Sequence, residues 1–329
     1  MFGKLCIGFA AALLAAGALG APTQASAAAL TIGYSDWPGW VAWQVAIDKG
    51  WLKEAGLDVN FQWFDYSASM DAFSAGKIDA DCVTNGDALV TGAGGGKGVM
   101  VMLTDYSNGN DMIVGKPGVK SIKDLKGKKV GVEVGLVEHL LLLNGLKDAG
   151  MAEKDVTLVN AKTNETPQVL ASGQVEAIGA WQPVSGMAMK GLPGSRPIYT
   201  SAQAPGLIYD VIYASPASLT AHKADYVKLA KVWDHVVAYI NDPMTQDDAV
   251  KIMSARVGLT AEEYKPLLKG THLIGLAEGK TTFVKADGLK SLYGSSAIAD
   301  DFNVKNDVYK TAQDLAAAID PTVTDEALK

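Results

Sequence analysis

The chain has 329 residues, with 29 Lys and Arg against 36 Asp and Glu, and a formal net charge of −7 at pH 7. This negative balance argues against a nucleic-acid-binding surface. Two cysteines are too few for a disulfide-stapled scaffold, and the length is sufficient for two domains.

Residues 1–27 have the features of a cleaved secretory signal. Lys4 supplies the positive end, an apolar run extends from Leu5 to Ala21, and Ala25-Ser26-Ala27 forms a small-x-small cleavage site. No second long apolar run follows, so we expect cleavage rather than a membrane anchor, and a periplasmic mature protein. Cleavage leaves Cys82 without an internal disulfide partner.

The next predicted elements are a strand and a helix joined by an aromatic loop. The strand-like run Ile32-Gly33-Tyr34 leads into Ser35-Asp36-Trp37-Pro38-Gly39-Trp40, and Pro38 favours the start of a helix. Asp36 is therefore either an N-cap for that helix or part of a binding site. Trp43, deeper in the helix, is expected in the core.

An internal repeat organises the chain as far as about residue 180. Phe73–Ala80 resembles Leu170–Ala177, 97 positions later, and both segments end a helix with a glycine before a short strand. The same offset of 97 pairs Val59-Asn60-Phe61 with Val156-Thr157-Leu158, and an offset of 98 pairs Ile32-Gly33-Tyr34 with Val130-Gly131-Val132. Alternating strands and helices predict two similar α/β lobes, each with a mainly parallel sheet.

Later elements suggest that the chain returns to the first lobe. Gly94-Gly95-Gly96 is expected to be a turn, because the lysine after it lacks phosphate-loop spacing. Tyr226–Ile240 has an apolar stripe at helical spacing. We predict crossings near residues 111 and 211 that form a hinge. Residues 28–111 and 212–329 then make the first lobe, and residues 112–211 make the second.

A family resemblance that extends from Leu30 to about Ala255 depends on four segments in order: Ala46–Val59, Ala75–Ala80, Leu125–Val132 and Ala171–Ala177. With these segments the sequence resembles periplasmic substrate-binding proteins of the nitrate/taurine/sulfonate (NitT/TauT) class, the receptors of ABC importers. The resemblance implies a two-lobed, type II-like α/β fold with a two-crossing hinge, closure on a small molecule, and delivery to an ABC permease and its ATPase.

The predicted strand ends are acidic and aromatic. Ligands of open parallel sheets lie beyond the carboxyl ends of the strands. The predicted strand ends contain eight acids and several Trp and Tyr residues but no Lys or Arg. The acids are Asp36, Asp65, Asp87, Asp105, Asp111, Glu133, Glu138 and Asp210.

Aromatic faces and carboxylates together favour a flat cation that donates N–H hydrogen bonds. We therefore expect a small nitrogen-rich, cationic ligand resembling guanidine. The candidate ligand-binding residues are Asp36, Trp37, Trp40, Asp65, Tyr66, Asn85, Asp87, Tyr106, Glu133, Glu138, Trp181, Gln182 and Asp210. Three interpretations without a ligand-binding role stay open: Asp210 as a hinge residue, His139 as a polar residue on a helix surface, and Asp79 and Asp81 as solvent-facing residues.

Two alternative functions stay open. The family resemblance also implies taurine, alkanesulfonate or nitrate as ligands, and an anion could be held by helix N-termini. An enzyme related to thiamine-pyrimidine synthases would need a lysine and a histidine near the cleft, and no lysine occurs at the predicted strand ends. We expect a monomeric receptor without catalysis, cofactor or metal, since the four His residues are scattered.

Overall fold

The computed structural model of the chain describes Met1 and residues 29–329. The predicted secretory signal lies outside the described residues. Eleven strands within 29–329 form two sheets, one in each lobe.

The first sheet has six strands in the spatial order β11-β4-β10-β3-β1-β2. Parallel pairing joins β1 to β2 and to β3, whereas β10 and β11 pair antiparallel. The strands are β1 (Leu30–Tyr34), β2 (Val59–Trp63), β3 (Ala80–Thr84), β4 (Val99–Ser107), β10 (Tyr209–Ala214) and β11 (Thr271–Leu273).

The second sheet has five strands in the order β7-β6-β8-β5-β9. Here β6 pairs in parallel with β7 and β8, while β5 pairs antiparallel with β8 and β9. Both sheets are therefore mixed rather than mainly parallel. The strands are β5 (Asp111–Gly115), β6 (Lys129–Val132), β7 (Thr157–Asn160), β8 (Ala177–Trp181) and β9 (Arg196–Thr200).

The internal repeat corresponds to three equivalent strands in each sheet. The order β3-β1-β2 in the first sheet matches β8-β6-β7 in the second, with the same parallel pairings. Each trio is then extended by one antiparallel strand. The strand β10, which follows the second trio in the chain, joins β3 of the first, and β5, which follows the first trio, joins β8 of the second. The two-lobed α/β architecture predicted from the repeat is confirmed.

Helices cover both sheets and form the remainder of the first lobe. The long helix α9 contains a kink at His222, where φ is −121° and ψ is 21°. The helices are α1 (Pro38–Val41), α2 (Trp43–Lys49), α3 (Trp51–Glu54), α4 (Tyr66–Ser74), α5 (Asn85–Ala93), α6 (Val137–Asp148), α7 (Thr166–Ala171), α8 (Val184–Gly191), α9 (Pro216–Asn241), α10 (Gln246–Arg256), α11 (Ala261–Tyr264), α12 (Leu276–Thr282), α13 (Leu292–Lys305), α14 (Leu315–Ala318) and α15 (Thr322–Ala327).

Tryptophans anchor the core of the first lobe. Trp43 of α2 and Trp233 of α9 are both buried, with ring centroids 4.7 Å apart. The predicted stripe of Tyr226–Ile240 faces this core along most of its length. None of the helices within 29–329 combines the length and apolar character needed to cross a membrane.

The two lobe crossings lie side by side. Ser107 Oγ and Ser201 Oγ are 2.6 Å apart, and Gly109 N–H donates to Ser201 Oγ at 2.7 Å. The predicted crossings near residues 111 and 211 differ slightly from the sheet membership. Asp111 already pairs with the second sheet through β5. Tyr209–Val211 already pair with the first sheet, because β10 starts earlier than its apolar run indicates.

Candidate functional site

The site lies where the edges of the two sheets face each other. In the first sheet, Asp210 at the start of β10 lies between Thr84 at the end of β3 and Asp105 near the end of β4. In the second sheet, Asp111 at the start of β5 pairs with Trp181 at the end of β8. Two of the acids predicted at strand carboxyl ends thus stand at the amino ends of antiparallel strands, at the same edge.

A small inner cavity of about 10 Å³, the room of about one water molecule, lies between these edges. It combines aromatic rings, apolar side chains and two carboxyl groups, and none of the described residues that line it is basic. Both lobes contribute to it. The lining residues are Trp37, Trp40, Tyr66, Thr84, Asp111, Val137, Trp181, Ile208 and Asp210.

An outer cavity of about 60 Å³ lies next to the inner one and shares Tyr66 and Trp181 with it. It is more polar and contains one base, Lys162, as well as acids. The two shared aromatic side chains therefore separate the inner cavity from a mixed-charge outer region. The other lining residues are Ser35, Asp36, Trp63, Phe64, Asp65, Ser67, Glu133, Thr163, Asn164 and Val184.

The aromatic side chains of the inner cavity pack on one another. Trp40 stacks on Tyr66, with ring centroids 5.3 Å apart and 26° between the planes. Trp181 meets Tyr66 edge-on at 5.2 Å, and Trp37 contacts Trp40 at 6.4 Å. Such contacts hold the rings in place.

Three aromatic side chains donate their polar hydrogen to a carboxylate. Trp37 Nε1 donates to Asp105 Oδ1 at 2.8 Å, and Tyr66 Oη donates to Asp87 Oδ2 at 2.8 Å. The third bond joins the lobes. It runs from Trp181 Nε1 in the second lobe to Asp36 Oδ1 in the first, at 3.0 Å.

Five buried carboxyl groups surround the inner cavity, and we call them the acid cluster: Asp87, Asp105, Asp111, Glu138 and Asp210. Each is at most 3% exposed. Burial raises the pKa of Asp105 to about 6 and the pKa values of Asp87 and Asp111 to about 7. Burial and neighbouring acids raise the pKa values of Glu138 and Asp210 well above the ordinary carboxyl range.

Several cluster oxygens have no hydrogen-bond donor among the described residues. These are one oxygen each of Asp105, Asp111 and Asp210, and both oxygens of Glu138. Buried polar atoms normally have a partner, and leaving one unpaired costs about 1–3 kcal/mol. Two of these side chains, Asp111 and Asp210, line the inner cavity.

Eight of the thirteen candidate residues line one of the two cavities. They are Asp36, Trp37, Trp40, Asp65, Tyr66, Glu133, Trp181 and Asp210. Asp87 and Glu138 belong to the acid cluster behind the lining. Asp65 is exposed, and Glu133 accepts a hydrogen bond from Thr163 N–H at 3.3 Å, so both lie at the outer end.

Three candidate residues line neither cavity. The amide of Asn85 is satisfied by Ser295, Ser296 and the backbone of Tyr209. Tyr106 stacks on His272, with ring centroids 4.6 Å apart, because its side chain points away from that of Asp105 along β4.

Gln182 is the third of these residues. Its side chain lies so close to α8 that a Cβ built on Gly186 would fall 2.7 Å from Gln182 Oε1.

The capping interpretation of Asp36 is wrong. Trp37 is the N-cap residue of α1, and no side chain caps that helix. The carboxyl of Asp36 turns to Trp181 instead, and burial raises its pKa to about 6.

His139 and Asp81, expected at the surface, are buried. His139 packs edge-on against Phe302 of α13, a neighbour from a distant part of the sequence. Asp81 lies on the covered face of β3 and accepts a hydrogen bond from Ser69 at 2.9 Å. The cover of His139 comes from a helix far along the chain, whereas Ser69 belongs to α4, the helix directly before β3.

Asp105 and Asp111 are among the predicted strand-end acids but not among the candidate ligand-binding residues. Thr84, Val137, Ile208 and Lys162 line a cavity without having been predicted. In the sheet registers, Asp105 lies opposite Asp210 and Asp111 lies opposite Trp181. These positions are the signal that assigns the two acids to the site. Such registers are fixed by long-range pairing.

Within 29–329, no group of three or more His, Cys, Asp or Glu side chains has an arrangement suited to a metal ion. Cys82 is fully buried inside β3, and burial raises the pKa of its thiol well above the usual value. A buried, protonated thiol is a poor nucleophile.

A family model described as NMT1/THI5 like matches residues 37–244. A Brucella abortus protein described as "Putative binding protein" is 31% identical over 165 residues, which are 50% of this chain and 51% of that protein. The chain thus spans about half the length of this curated relative.

Two solved structures show the same fold. The alkanesulfonate-binding protein SsuA of Xanthomonas axonopodis pv. citri, bound to MOPS, has a TM-score of 0.75 at 17% identity, covering 90% of this chain and 99% of the other. The aliphatic sulphonate binding protein SsuA of Escherichia coli has a TM-score of 0.73 at 18% identity, covering 90% and 93%.

Proposed function

The chain belongs to the NMT1/THI5-like family, and on this premise we propose that it is a periplasmic solute receptor of an ABC importer that captures a small nitrogen-rich cation resembling guanidine. The observation that carries the proposal is the inner cavity, where buried carboxyl groups from both lobes meet aromatic rings and none of the described lining residues is basic.

The chemistry of the cavity favours a ligand with N–H donors. Asp111 and Asp210 each have a buried oxygen without a donor. A guanidinium ion is planar and carries N–H groups around its edge, so it can donate to a carboxylate in each lobe while its face lies on an indole. Charge-assisted hydrogen bonds of this kind are about twice as strong as neutral ones, and each cation–π contact adds about 0.5–2 kcal/mol.

The free volume of the inner cavity is about 10 Å³, the room of about one water molecule. Binding of guanidine, methylguanidine or acetamidine therefore requires the two lobes to separate and the aromatic rings to move apart. A long alkanesulfonate would extend into the outer cavity.

The position of the cavity supports a transport role. Ligand contacts from both lobes favour the closed form, and the hinge equilibrium shifts only by the difference in ligand affinity between open and closed forms. A permease can then distinguish loaded from empty receptor by its shape. The proposed partners are therefore an ABC permease and its ATPase, with the receptor acting as a monomer.

A sulfonate or nitrate receptor is the second candidate. Its support is the structural likeness to two sulfonate-binding proteins, together with Lys162 in the outer cavity. A sulfonate headgroup in the inner cavity would face Asp111 and Asp210, which repel an anion when ionised. The outer cavity is the more suitable place for such a ligand.

The enzyme alternative has less support. A pyrimidine-synthase-like reaction needs a lysine and a histidine at the site, and among the described residues neither lines the inner cavity. The fold alone does not decide between receptor and enzyme.

A thermal-shift panel tests the proposal directly. We expect guanidinium and methylguanidinium to raise the melting temperature, since a ligand at a hundred times its dissociation constant adds about 2.7 kcal/mol of stability. Urea, acetamidine, taurine, ethanesulfonate and nitrate complete the panel. Shifts with taurine or nitrate, and none with guanidinium or amidinium compounds, would replace the cation proposal by the sulfonate one.

A pair of variants locates the ligand. Asp210→Asn removes a cavity carboxyl, and Asp81→Asn removes a carboxyl of equal burial on β3 that lines neither cavity. We expect Asp210→Asn to lose at least tenfold in guanidinium affinity by calorimetry and Asp81→Asn to keep the wild-type value. Equal effects in both variants would mean that the ligand binds elsewhere.

A further inference from the structure

The acid cluster contains two carboxyl pairs, one in each lobe. Asp105 of β4 and Asp210 of β10 are directly opposite in the antiparallel register and form a side-chain hydrogen bond when one of them is protonated. Asp111 of β5 and Glu138 of α6 form the second pair, because α6 packs on β5 and each side chain affects the protonation of the other. Each of these four side chains has at least one oxygen without a donor among the described residues, as does Asp81 of β3.

The neighbours of the two pairs are mostly acidic. The negative charge of Asp87 of α5 raises the pKa values of Glu138 and Asp210, and the negative charge of Glu133 raises the pKa of Asp87. The hydroxyl of Tyr66 binds Asp87, and Tyr264 of α11 lies near Asp105 and Asp36. The basic group that acts on Asp105 is His272 of β11, which is also bound to Glu278 at 2.9 Å.

Four ionised carboxylates cannot coexist in so small a buried volume without compensation. In a low-dielectric interior, like charges at hydrogen-bonding distance repel strongly, and one member of such a pair takes up a proton. A cation in the cavity supplies the same compensation as a proton. The empty site therefore needs protons, and the loaded site does not.

We infer, resting on the proposed function, that ligand capture is a proton exchange: the cation enters the inner cavity as at least one proton leaves the Asp105–Asp210 or Asp111–Glu138 pair for the solvent. The balance is simple. Protonated receptor, cation and one water molecule give loaded receptor and a hydronium ion: a carboxyl O–H bond breaks and a new O–H bond forms on the water.

Guanidinium suits the test because guanidinium groups stay protonated throughout the accessible pH range. A pH dependence of its binding therefore belongs to the receptor and not to the ligand. We expect the association constant to rise between pH 5.5 and 7.5, by about tenfold per pH unit for each proton released. Affinity independent of pH would overturn the inference.

Calorimetry in two buffers counts the protons. Guanidinium chloride is titrated into the protein at pH 7.0 in PIPES and in Tris, whose ionisation enthalpies differ widely. The difference in observed binding enthalpy, divided by the difference in buffer enthalpy, gives the number of protons released. We expect about one or more for the wild-type protein, and a value of zero with binding intact would overturn the inference.

Two variants assign the proton to the cluster. Glu138→Gln removes the proton-sharing partner of Asp111 without removing a residue that lines the cavity. We expect weaker guanidinium binding and fewer protons released per ion bound. Asp81→Asn is the matched control, because Asp81 is equally buried and lines neither cavity. It should release as many protons as the wild type. Proton release unchanged by Glu138→Gln would remove the Asp111–Glu138 pair from the exchange.

The two proposals fail in different ways. If guanidinium binds without proton release, only the exchange is wrong and the cation receptor stands. If neither guanidinium nor amidinium compounds bind at any pH between 5.5 and 8.5, the proposed function and the exchange are both wrong.

Discussion

At the residue scale, aromatic side chains orient the acids of the site. An indole or phenol that donates to one oxygen of a carboxylate fixes the rotamer of that side chain. Each bond uses the one polar hydrogen that the aromatic side chain has. The three pairs are Trp37 with Asp105, Tyr66 with Asp87, and Trp181 with Asp36.

Trp37→Phe tests this orientation. The variant keeps an aromatic face but loses the donor to Asp105 Oδ1. Hydrogen bonds to charged groups contribute about 1.5–3 kcal/mol, so we expect guanidinium affinity, measured by calorimetry, to fall by roughly tenfold or more.

Trp43→Phe is the matched control, because Trp43 is buried in the core and its indole nitrogen has no acceptor among residues 29–329. It should lower the melting temperature without changing affinity. An unchanged affinity in Trp37→Phe would show that Asp105 needs no such support.

Trp181→Ala removes a ring that lines both cavities and the bond from Trp181 Nε1 to Asp36 that joins the lobes. We expect guanidinium affinity to fall by at least tenfold, since the closed form loses both its aromatic face and an interlobe hydrogen bond. Circular dichroism should show a folded protein. Global loss of structure in this variant would contradict a binding role for Trp181.

At the element scale, the short helix α1 passes very close to β4. A Cβ built on Gly39 would overlap the carboxylate of Asp105. The helix therefore needs glycine at this position, and the need comes from the acid beside it rather than from the backbone conformation.

Gly39→Ala should displace either α1 or the Asp105 carboxylate. Overpacking of this kind costs typically 1–3 kcal/mol, so we expect weaker guanidinium binding together with a lower melting temperature. Gly191→Ala in α8 is the control, because a Cβ there meets nothing within 4 Å. Wild-type affinity in Gly39→Ala would mean that the contact between α1 and Asp105 does not shape the cavity.

At the scale of the whole molecule, the acid cluster makes ligand-free stability depend on pH. An unfolded carboxyl titrates near pH 4, whereas burial raises the pKa of Asp105 to about 6 and those of Asp87 and Asp111 to about 7. Between these values the folded protein holds more protons than the unfolded chain, so its free energy of unfolding falls as the pH rises. His139 works in the opposite direction near its ordinary pKa, because burial lowers its pKa.

We expect the melting temperature of the ligand-free protein to fall from pH 5 to pH 7, by several degrees. Each excess proton held by the folded state changes stability by about 1.4 kcal/mol per pH unit. Calorimetric melting curves of the wild type and Glu138→Gln give the comparison, and the slope should be smaller in the variant. A melting temperature that rises steadily over this range would show that the cluster is ionised in the empty receptor.

The sequence by itself determined the two lobes and predicted several of the aromatic residues that line the candidate cavities. The repeated strand–helix units predict two α/β lobes because periodicity is a local property, and each copy forms the same trio of strands. Trp37, Trp40 and Trp181 were identified because they follow or end predicted strands, and strand ends border the cavity in this architecture.

Tertiary structure decided which acids meet. Asp105 and Asp210 are 105 positions apart and become neighbours only through the antiparallel pairing of β10 with β4. Asn85 and Tyr106, near strand ends like the others, found partners elsewhere in the fold. Strand ends are encoded by local sequence, whereas register and side-chain direction come from long-range pairing between the two halves of the chain, and they determine the charge of the cavity.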